Sequence, residues 1–242
     1  MTWIPNLLTG MNLFLGFWAI IQALEGNILT ACWLVIIASV CDGLDGKLAR
    51  FMNRSTEMGL ELDSLADVVS FGAAPGVILY VASFRELEFL GLILAALPLI
   101  FGAIRLARYN LTAVPGERRA LYVGLPIPMQ ANTLATFIIF NYALWGALHL
   151  EILLLPLVWL LSLLMVSHFP YDRIPRFSIK EAVRRPWRLI VSIVIVGILA
   201  LKPAIAFFPI LMLYVLRGVI MAAFRFAPAE EEEELDSELE VK

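Results

Sequence analysis

Four aspartates, Asp42, Asp45, Asp63 and Asp67, stand at the edges of two long apolar runs, in the segment CDGLDGKLARFMNRSTEMGLELDSLAD. Asp42 and Asp45 are three residues apart and Asp63 and Asp67 are four apart, so on helices each pair lies on one face, one turn above the other. A carboxylate at the margin of a bilayer is costly unless a cation or a water-filled cavity compensates it, which marks all four as functional candidates. Hard oxygen ligands on two neighbouring helices suit Mg²⁺ or Mn²⁺, ions that keep waters or substrate phosphates among their ligands. Gly46 and Gly59 flank the carboxylates. Glycine inside a helix costs about 1 kcal/mol relative to alanine, so a bulky polar ligand lying close to the backbone would explain them.

The elements that must carry these residues are membrane helices. Of the 242 residues, 61% are hydrophobic and 16% charged, and the mean hydropathy is +0.85; a soluble domain has more charge and less apolar content. The fold class expected is all-α, a polytopic transmembrane helical bundle of about eight helices, with apolar spans near 5–24, 28–48, 58–81, 87–109, 125–145, 150–169, 189–201 and 204–224. The seventh is short and ends at Lys202-Pro203, the weakest of the eight in length. No cleavable signal peptide is expected, because Met1–Pro5 has no basic residue and the run behind it is long enough to span. Cys32 and Cys41 share one apolar segment and read as small packing residues.

The distribution of charge orients the bundle. The net charge of −3 conceals an acidic tail in which residues 230–234, Asp236, Glu238 and Glu240 are all Asp or Glu; without it the chain is basic. Residues 1–226 read as a transmembrane catalytic domain and 227–242 as an acidic, disordered cytoplasmic tail. Lys47, Arg50, Arg54, Arg105, Arg108, Arg118, Arg119 and the run Arg173, Arg176, Lys180, Arg184, Arg185, Arg188 fall in the last turns of even-numbered spans or in the loops after them, and only Arg85 and Lys202 in the loops after odd ones. Both termini and the aspartate hairpin are therefore expected on the cytoplasmic side of the cytoplasmic membrane. Arg118 and Arg119 read as loop charges near anionic lipid, and His149 and His168, with no partner motif, as structural residues. No nucleic-acid partner is expected.

The short connection over 50–59 makes the two aspartate helices an antiparallel hairpin whose carboxylate faces can meet. The pattern Asp42-x-x-Asp45-Gly46-x-x-Ala49-Arg50, eight residues, Gly59, three residues, Asp63, three residues, Asp67 resembles the complete signature of the CDP-alcohol phosphotransferase family. The family consists of integral membrane enzymes that transfer a substituted phosphate from a CDP-linked alcohol to a second alcohol and release CMP. The resemblance implies that Asp42, Asp45, Asp63 and Asp67 hold two divalent cations, Mg²⁺ or Mn²⁺, on the pyrophosphate. It also implies that Gly46, Ala49 and Gly59 lie against the nucleotide, that Arg50 supports the polar site, and that Asp67 is the general base. Displacement at phosphorus fits these types, since the pyrophosphate charge must be neutralised and the acceptor hydroxyl must lose a proton.

Further blocks resemble the branch of that family that uses L-serine as acceptor and CDP-diacylglycerol as donor. They are Ile4-Pro5-Asn6-Leu7-Leu8-Thr9-x-x-Asn12-Leu13-x-x-Gly16, Ser70-Phe71-Gly72-Ala73-Ala74-Pro75, Arg105-Leu106-Ala107-Arg108-Tyr109-Asn110 and Gly124-Leu125-Pro126-x-Pro128. Asn6, Thr9 and Asn12 read as helix-start or interhelical hydrogen-bonding residues, and Asn6 and Asn12, at the same end as the hairpin, are also expected to reach the nucleotide. Gly72 and Pro75 are expected to kink the third span. Ser70, one turn beyond Asp67, and Arg105 and Arg108, on one helix face, are expected at the acceptor or phosphate pocket, because arginine binds a carboxylate in a bidentate way. A homodimer is expected from the resemblance. Archaetidylserine, glycerol phosphate and inositol phosphate chemistry are the sister alternatives. A carboxylate-lined ion transporter is the alternative outside enzymes; it has no need of the Gly46, Ala49, Arg50 and Gly59 frame.

Overall fold

A computed structural model describes residues 3–51, 57–112, 121–172 and 201–226, together with positions 197 and 199. The chain forms α1 (Trp3–Leu24), α2 (Ile28–Phe51), α3 (Glu57–Asp67), a π-helical segment (Val68–Ala73), α4 (Ala74–Ala82), a 3₁₀ turn (Phe84–Leu87), α5 (Glu88–Thr112), β1 (Leu121–Val123), α6 (Ile127–Trp145), α7 (Glu151–Val166), β2 (Pro170–Asp172) and α8 (Pro203–Phe226). Seven of the eight expected spans are present within a few residues of their expected ends. The expected seventh, 189–201, lies almost wholly outside the described residues, as do Arg54, Arg118, Arg119, the basic run 173–188 and the acidic tail 227–242.

Among the described residues five helices are long and apolar enough to cross a membrane, over Asn6–Leu24, Ile28–Leu48, Met58–Ala82, Phe84–Leu111 and Pro203–Ala222. Large apolar side chains point outward along them: Phe14, Phe17, Leu65, Leu111 and Leu213 are all more than half exposed. In water such a surface would be a liability, and against lipid tails it is the ordinary exterior. The protein is an integral membrane protein with a polytopic helical fold.

Small residues draw the first helices together. Ala19 and Ala23 of α1 and Ala31, Cys32, Val35 and Ala38 of α2 are fully buried, so the two backbones approach closely where lipid provides no hydrophobic drive for association. The turn between them needs a positive φ at Gly26 (84°), a conformation glycine adopts without a Cβ penalty. Cys32 and Cys41 are free thiols on α2, in agreement with a packing role.

The third span is one helix interrupted by a π segment. Pro75 has no N–H to give the carbonyl four residues before it, and the chain accommodates this by widening: the Ala74 N–H bonds to the Val69 carbonyl, five residues back. The expected kink thus takes the form of a π turn, a feature often found at functional sites. Beyond it Gly76 faces the Ala95 carbonyl so closely that a Cβ would collide with it, and Gly72 lies against Leu99, which seats α4 and the π segment on α5.

Helix α6 runs through the middle of the second half, with Ile127, Gln130, Ala131, Leu134, Ala135 and Ile138 among its buried residues. Pro126 and Pro128 set its first turn, where a missing N–H costs nothing, and Gly146 (φ 72°) ends it, its N–H bonding to the Tyr142 carbonyl. Phe137 meets Phe208 of α8 edge-on at 5.1 Å. One element was not foreseen: β1 and β2 pair antiparallel, with Leu121 opposite Asp172 and Val123 opposite Pro170, a small clasp on an otherwise all-α bundle.

Candidate active site

Helix α2 delivers Asp42 and Asp45, and α3 delivers Asp63 and Asp67. Carboxylate oxygens of Asp42, Asp63 and Asp67 lie within 4.8 Å of one another, so the two faces that share carboxylates in sequence do meet in space. Asp67 ends α3 and is the residue from which the π segment departs. Like charges this close repel strongly wherever water is scarce.

Helix α1 closes the site with a polar row at three-residue spacing, Asn6, Thr9 and Asn12, continued by Gly16. The Thr9 hydroxyl donates to Asp45 Oδ2 at 3.0 Å, and Asp45 is only 4% exposed. The Asn12 amide donates to Asp67 Oδ1 at 3.3 Å. Ser70, on the π segment, donates its hydroxyl to the Asn12 carbonyl at 2.9 Å. A Cβ on Gly16 would collide with both the backbone and the side chain of Ser70. Gly16 therefore lets α1 cross the π segment closely enough for Asn12 to reach Asp67.

Two buried oxygens in this group, Asp63 Oδ1 and Asn12 Oδ1, have no hydrogen-bond partner among the described residues. A buried unsatisfied acceptor costs roughly 1–3 kcal/mol, and a buried anion without a partner costs more. Converging carboxylate oxygens with an orphaned acceptor among them are the donor set expected of a hard divalent cation, so the residues present fit the implied metal. Asp42, Asp63 and Asp67 are placed to share one ion; Asp45, held by Thr9, stands one turn along α2 from Asp42.

The remaining expected residues separate by position. Gly46 and Gly59 are half-buried on α2 and α3, and Asn6 is half-buried at the start of the polar row. Ala49 and Arg50 fall in the last turn of α2, with side chains outside the described residues. Arg105 is buried, 7% exposed, on α5, the helix that packs on the π segment. The Arg108 guanidinium is engaged on the end of α7, donating to the Val166 carbonyl at 2.7 Å. His149 stacks on Trp145 at the opposite end of α6, in keeping with a structural role. Thr9 bonds between helices, one of the two roles expected of it, but its partner Asp45 was not anticipated. Its signal was there in the spacing shared with Asn6 and Asn12, yet nothing in the sequence assigns a threonine on one helix to a carboxylate on another.

A family model described as CDP-alcohol phosphatidyltransferase matches residues 2–165. The chain is 34% identical over 226 residues to a Helicobacter pylori protein named CDP-diacylglycerol--serine O-phosphatidyltransferase, with 91% of each chain covered. It is 31% identical over 173 residues to archaetidylserine synthase of Methanothermobacter thermautotrophicus, covering 71% of this chain and 70% of that one. It is also 34% identical over 134 residues to a Bacillus subtilis CDP-diacylglycerol--serine O-phosphatidyltransferase, covering 55% of this chain and 74% of the relative.

Proposed function

The chain belongs to the CDP-alcohol phosphatidyltransferase family, and from that premise we propose that it transfers the phosphatidyl group of CDP-diacylglycerol to the hydroxyl of L-serine, giving phosphatidylserine and CMP. The observation that carries the chemistry is the meeting of Asp42, Asp63 and Asp67 oxygens within 4.8 Å. What supports serine is the relative matched over 91% of both chains, whose name specifies that acceptor.

Asp42, Asp45, Asp63 and Asp67 would hold two divalent cations, Mg²⁺ or Mn²⁺. When bound, such ions neutralise the pyrophosphate and lower the cost of charge on the leaving CMP. The residues of the chain do the rest. Thr9 fixes Asp45 and Asn12 fixes one oxygen of Asp67, so the carboxylates are oriented before substrate arrives. Asp67 is the general base: it takes the proton of the serine hydroxyl as the new oxygen–phosphorus bond forms and the bond to CMP breaks. Gly46, Ala49 and Gly59 leave room for the cytidine nucleotide, with Asn6 and Arg50 at its polar edge. Arg105 faces the serine carboxylate. Ser70 acts through Asn12, whose carbonyl it holds.

The site and both termini lie on the cytoplasmic side of the cytoplasmic membrane, a placement supported by the bias of Lys and Arg toward one side. The lipid tails stay in the bilayer while the CDP head reaches the hairpin, and the protein acts as a homodimer, which rests on family likeness alone. An archaetidyl donor is the second version of this chemistry, favoured by the archaeal relative.

The test is CMP release by purified protein with Mn²⁺, from CDP-diacylglycerol or CDP-archaeol, offered serine, glycerol 3-phosphate, inositol phosphate or choline. CMP release with serine is expected. Release with another alcohol and none with serine would overturn the acceptor, and cation flux without any CMP release would overturn the enzyme.

A further inference from the structure

Arg105, Arg108 and Asn110 follow one another on the last turns of α5, and their side chains have different surroundings. Arg105 is buried. Arg108 donates through Nη1 to the Val166 carbonyl at 2.7 Å, and through Nη2 to the carbonyls of Ser167 at 3.3 Å and Met165 at 3.4 Å. Asn110 donates its amide to the Ser64 hydroxyl at 3.0 Å, and Ser64 is the residue after Asp63 on α3, itself tied to the Leu60 carbonyl.

The end of α7 gathers donors from elsewhere in the chain. A helix leaves its last carbonyls without intrahelical partners, and this end carries partial negative charge. Here the Leu125 N–H takes the Leu164 carbonyl and the Gly124 N–H takes the Phe169 carbonyl, both at 2.9 Å. Gly124 holds a φ of +78°, and a Cβ there would collide with the Met165 carbonyl oxygen. Arg108 completes this cap with a charged donor, which is also the favoured charge at a helix C-terminus. Both terminal nitrogens of its guanidinium are thereby on main-chain carbonyls, whereas a bidentate grip on a carboxylate would need a pair of them.

We propose that Arg108 is a positioning residue. With Asn110 it holds the end of α5 between the carboxyl terminus of α7 and the aspartate helix α3, and so sets Arg105 over the acceptor side of the site, a placement that rests on the acceptor assignment above. The two arginines divide the work: Arg105 meets the acceptor and Arg108 fixes the helix that presents it. Thermal unfolding of α5 from α7 and α3 is resisted by the same clamp.

The experiment compares Arg105→Lys, Arg108→Ala, Arg108→Lys and Ser64→Ala in the full chain, reading kcat and the acceptor KM by CMP release and the unfolding midpoint in detergent. Arg108→Ala is expected to lower the midpoint and, because Arg105 is then no longer held in place, to lower kcat/KM for the acceptor about tenfold with kcat and KM both changed. Arg108→Lys, which can still cap carbonyls, is expected to recover most of both. Arg105→Lys is expected to raise the acceptor KM about tenfold with an unchanged midpoint, because a lysine keeps the charge and loses the fork. Ser64→Ala, the milder cut and the one that answers if Arg108→Ala does not fold, is expected to lower kcat about threefold. An acceptor KM raised tenfold or more by both Arg108 variants, with the midpoint unmoved, would overturn the proposal, as would wild-type kcat and midpoint in Ser64→Ala. Wild-type protein that releases no CMP with any acceptor would refute the function, while the midpoints of the Arg108 variants would still decide the clamp.

Discussion

The two halves of this bundle differ in where the hydrogen bonds of their buried polar side chains go, across helices in the first and within one helix in the second. In α1, α2, α3 and the π segment, Thr9, Asn12, Asp45, Asp67 and Ser70 are buried and joined to one another by hydrogen bonds, around carboxylates that converge within 4.8 Å. In α6, α7 and β2 the bonds of buried polar side chains are local, Thr133, Thr136 and Asn141 each donating to a carbonyl one turn back on α6, and both amide atoms of Gln130 and the hydroxyls of Ser162 and Tyr171 have no partner among the described residues. Chemistry requires fixed orientation, and the first half is built to fix it. The second half packs, and through the end of α7 it holds α5 in place.

Breaking the comparison at its strongest point means neutralising a carboxylate. Asp42→Asn and Asp63→Asn should each lower CMP release by about a thousandfold or more, since both remove charge from the cluster proposed to hold the cations. Mn²⁺ titration of the same variants should show weakened dependence on the ion; activity within tenfold of wild type would separate the cluster from the reaction.

A smaller effect is expected where orientation alone is lost. Thr9→Val keeps the shape and removes the hydroxyl that holds Asp45. A hydrogen bond to a charged group is worth about 1.5–3 kcal/mol, so kcat/KM should fall by about tenfold to a hundredfold. An unchanged kcat/KM would mean that Asp45 needs no fixing.

The smallest effect belongs to the second half. Gln130→Leu replaces an unpartnered buried amide by an apolar side chain of similar size, a change that is close to neutral or stabilising. The unfolding midpoint should hold or rise by a few degrees, with activity unaltered. A drop in kcat/KM of more than about threefold would erase the contrast between the halves.

Much of this contrast is legible in the sequence, and what is not has a physical reason. Spans of about twenty apolar residues declare themselves because the bilayer fixes their length, and α1, α2, α5 and α8 begin and end within three residues of expectation. The aspartates declare themselves by cost and by helical spacing. The pairing of Thr9 with Asp45 depends on the rotational phase of α1 against α2, which the sequence does not state. The π segment follows from Pro75 only once the chain is known to stay helical instead of breaking there. The β1–β2 clasp joins three-residue strands on either side of α6 and α7, too short and too distant in sequence to leave a pattern. Arg108 read as a pocket residue because its charge and spacing match that role as well as they match a helix cap.

The central claim is that the aspartate cluster performs phosphatidyl transfer, with Asp67 as the base. It is tested most directly by measuring CMP release and CDP-diacylglycerol binding on the same preparations of wild type and Asp67→Asn. Transfer should be abolished while binding of the CDP-lipid remains measurable. Transfer at near the wild-type rate would contradict the account.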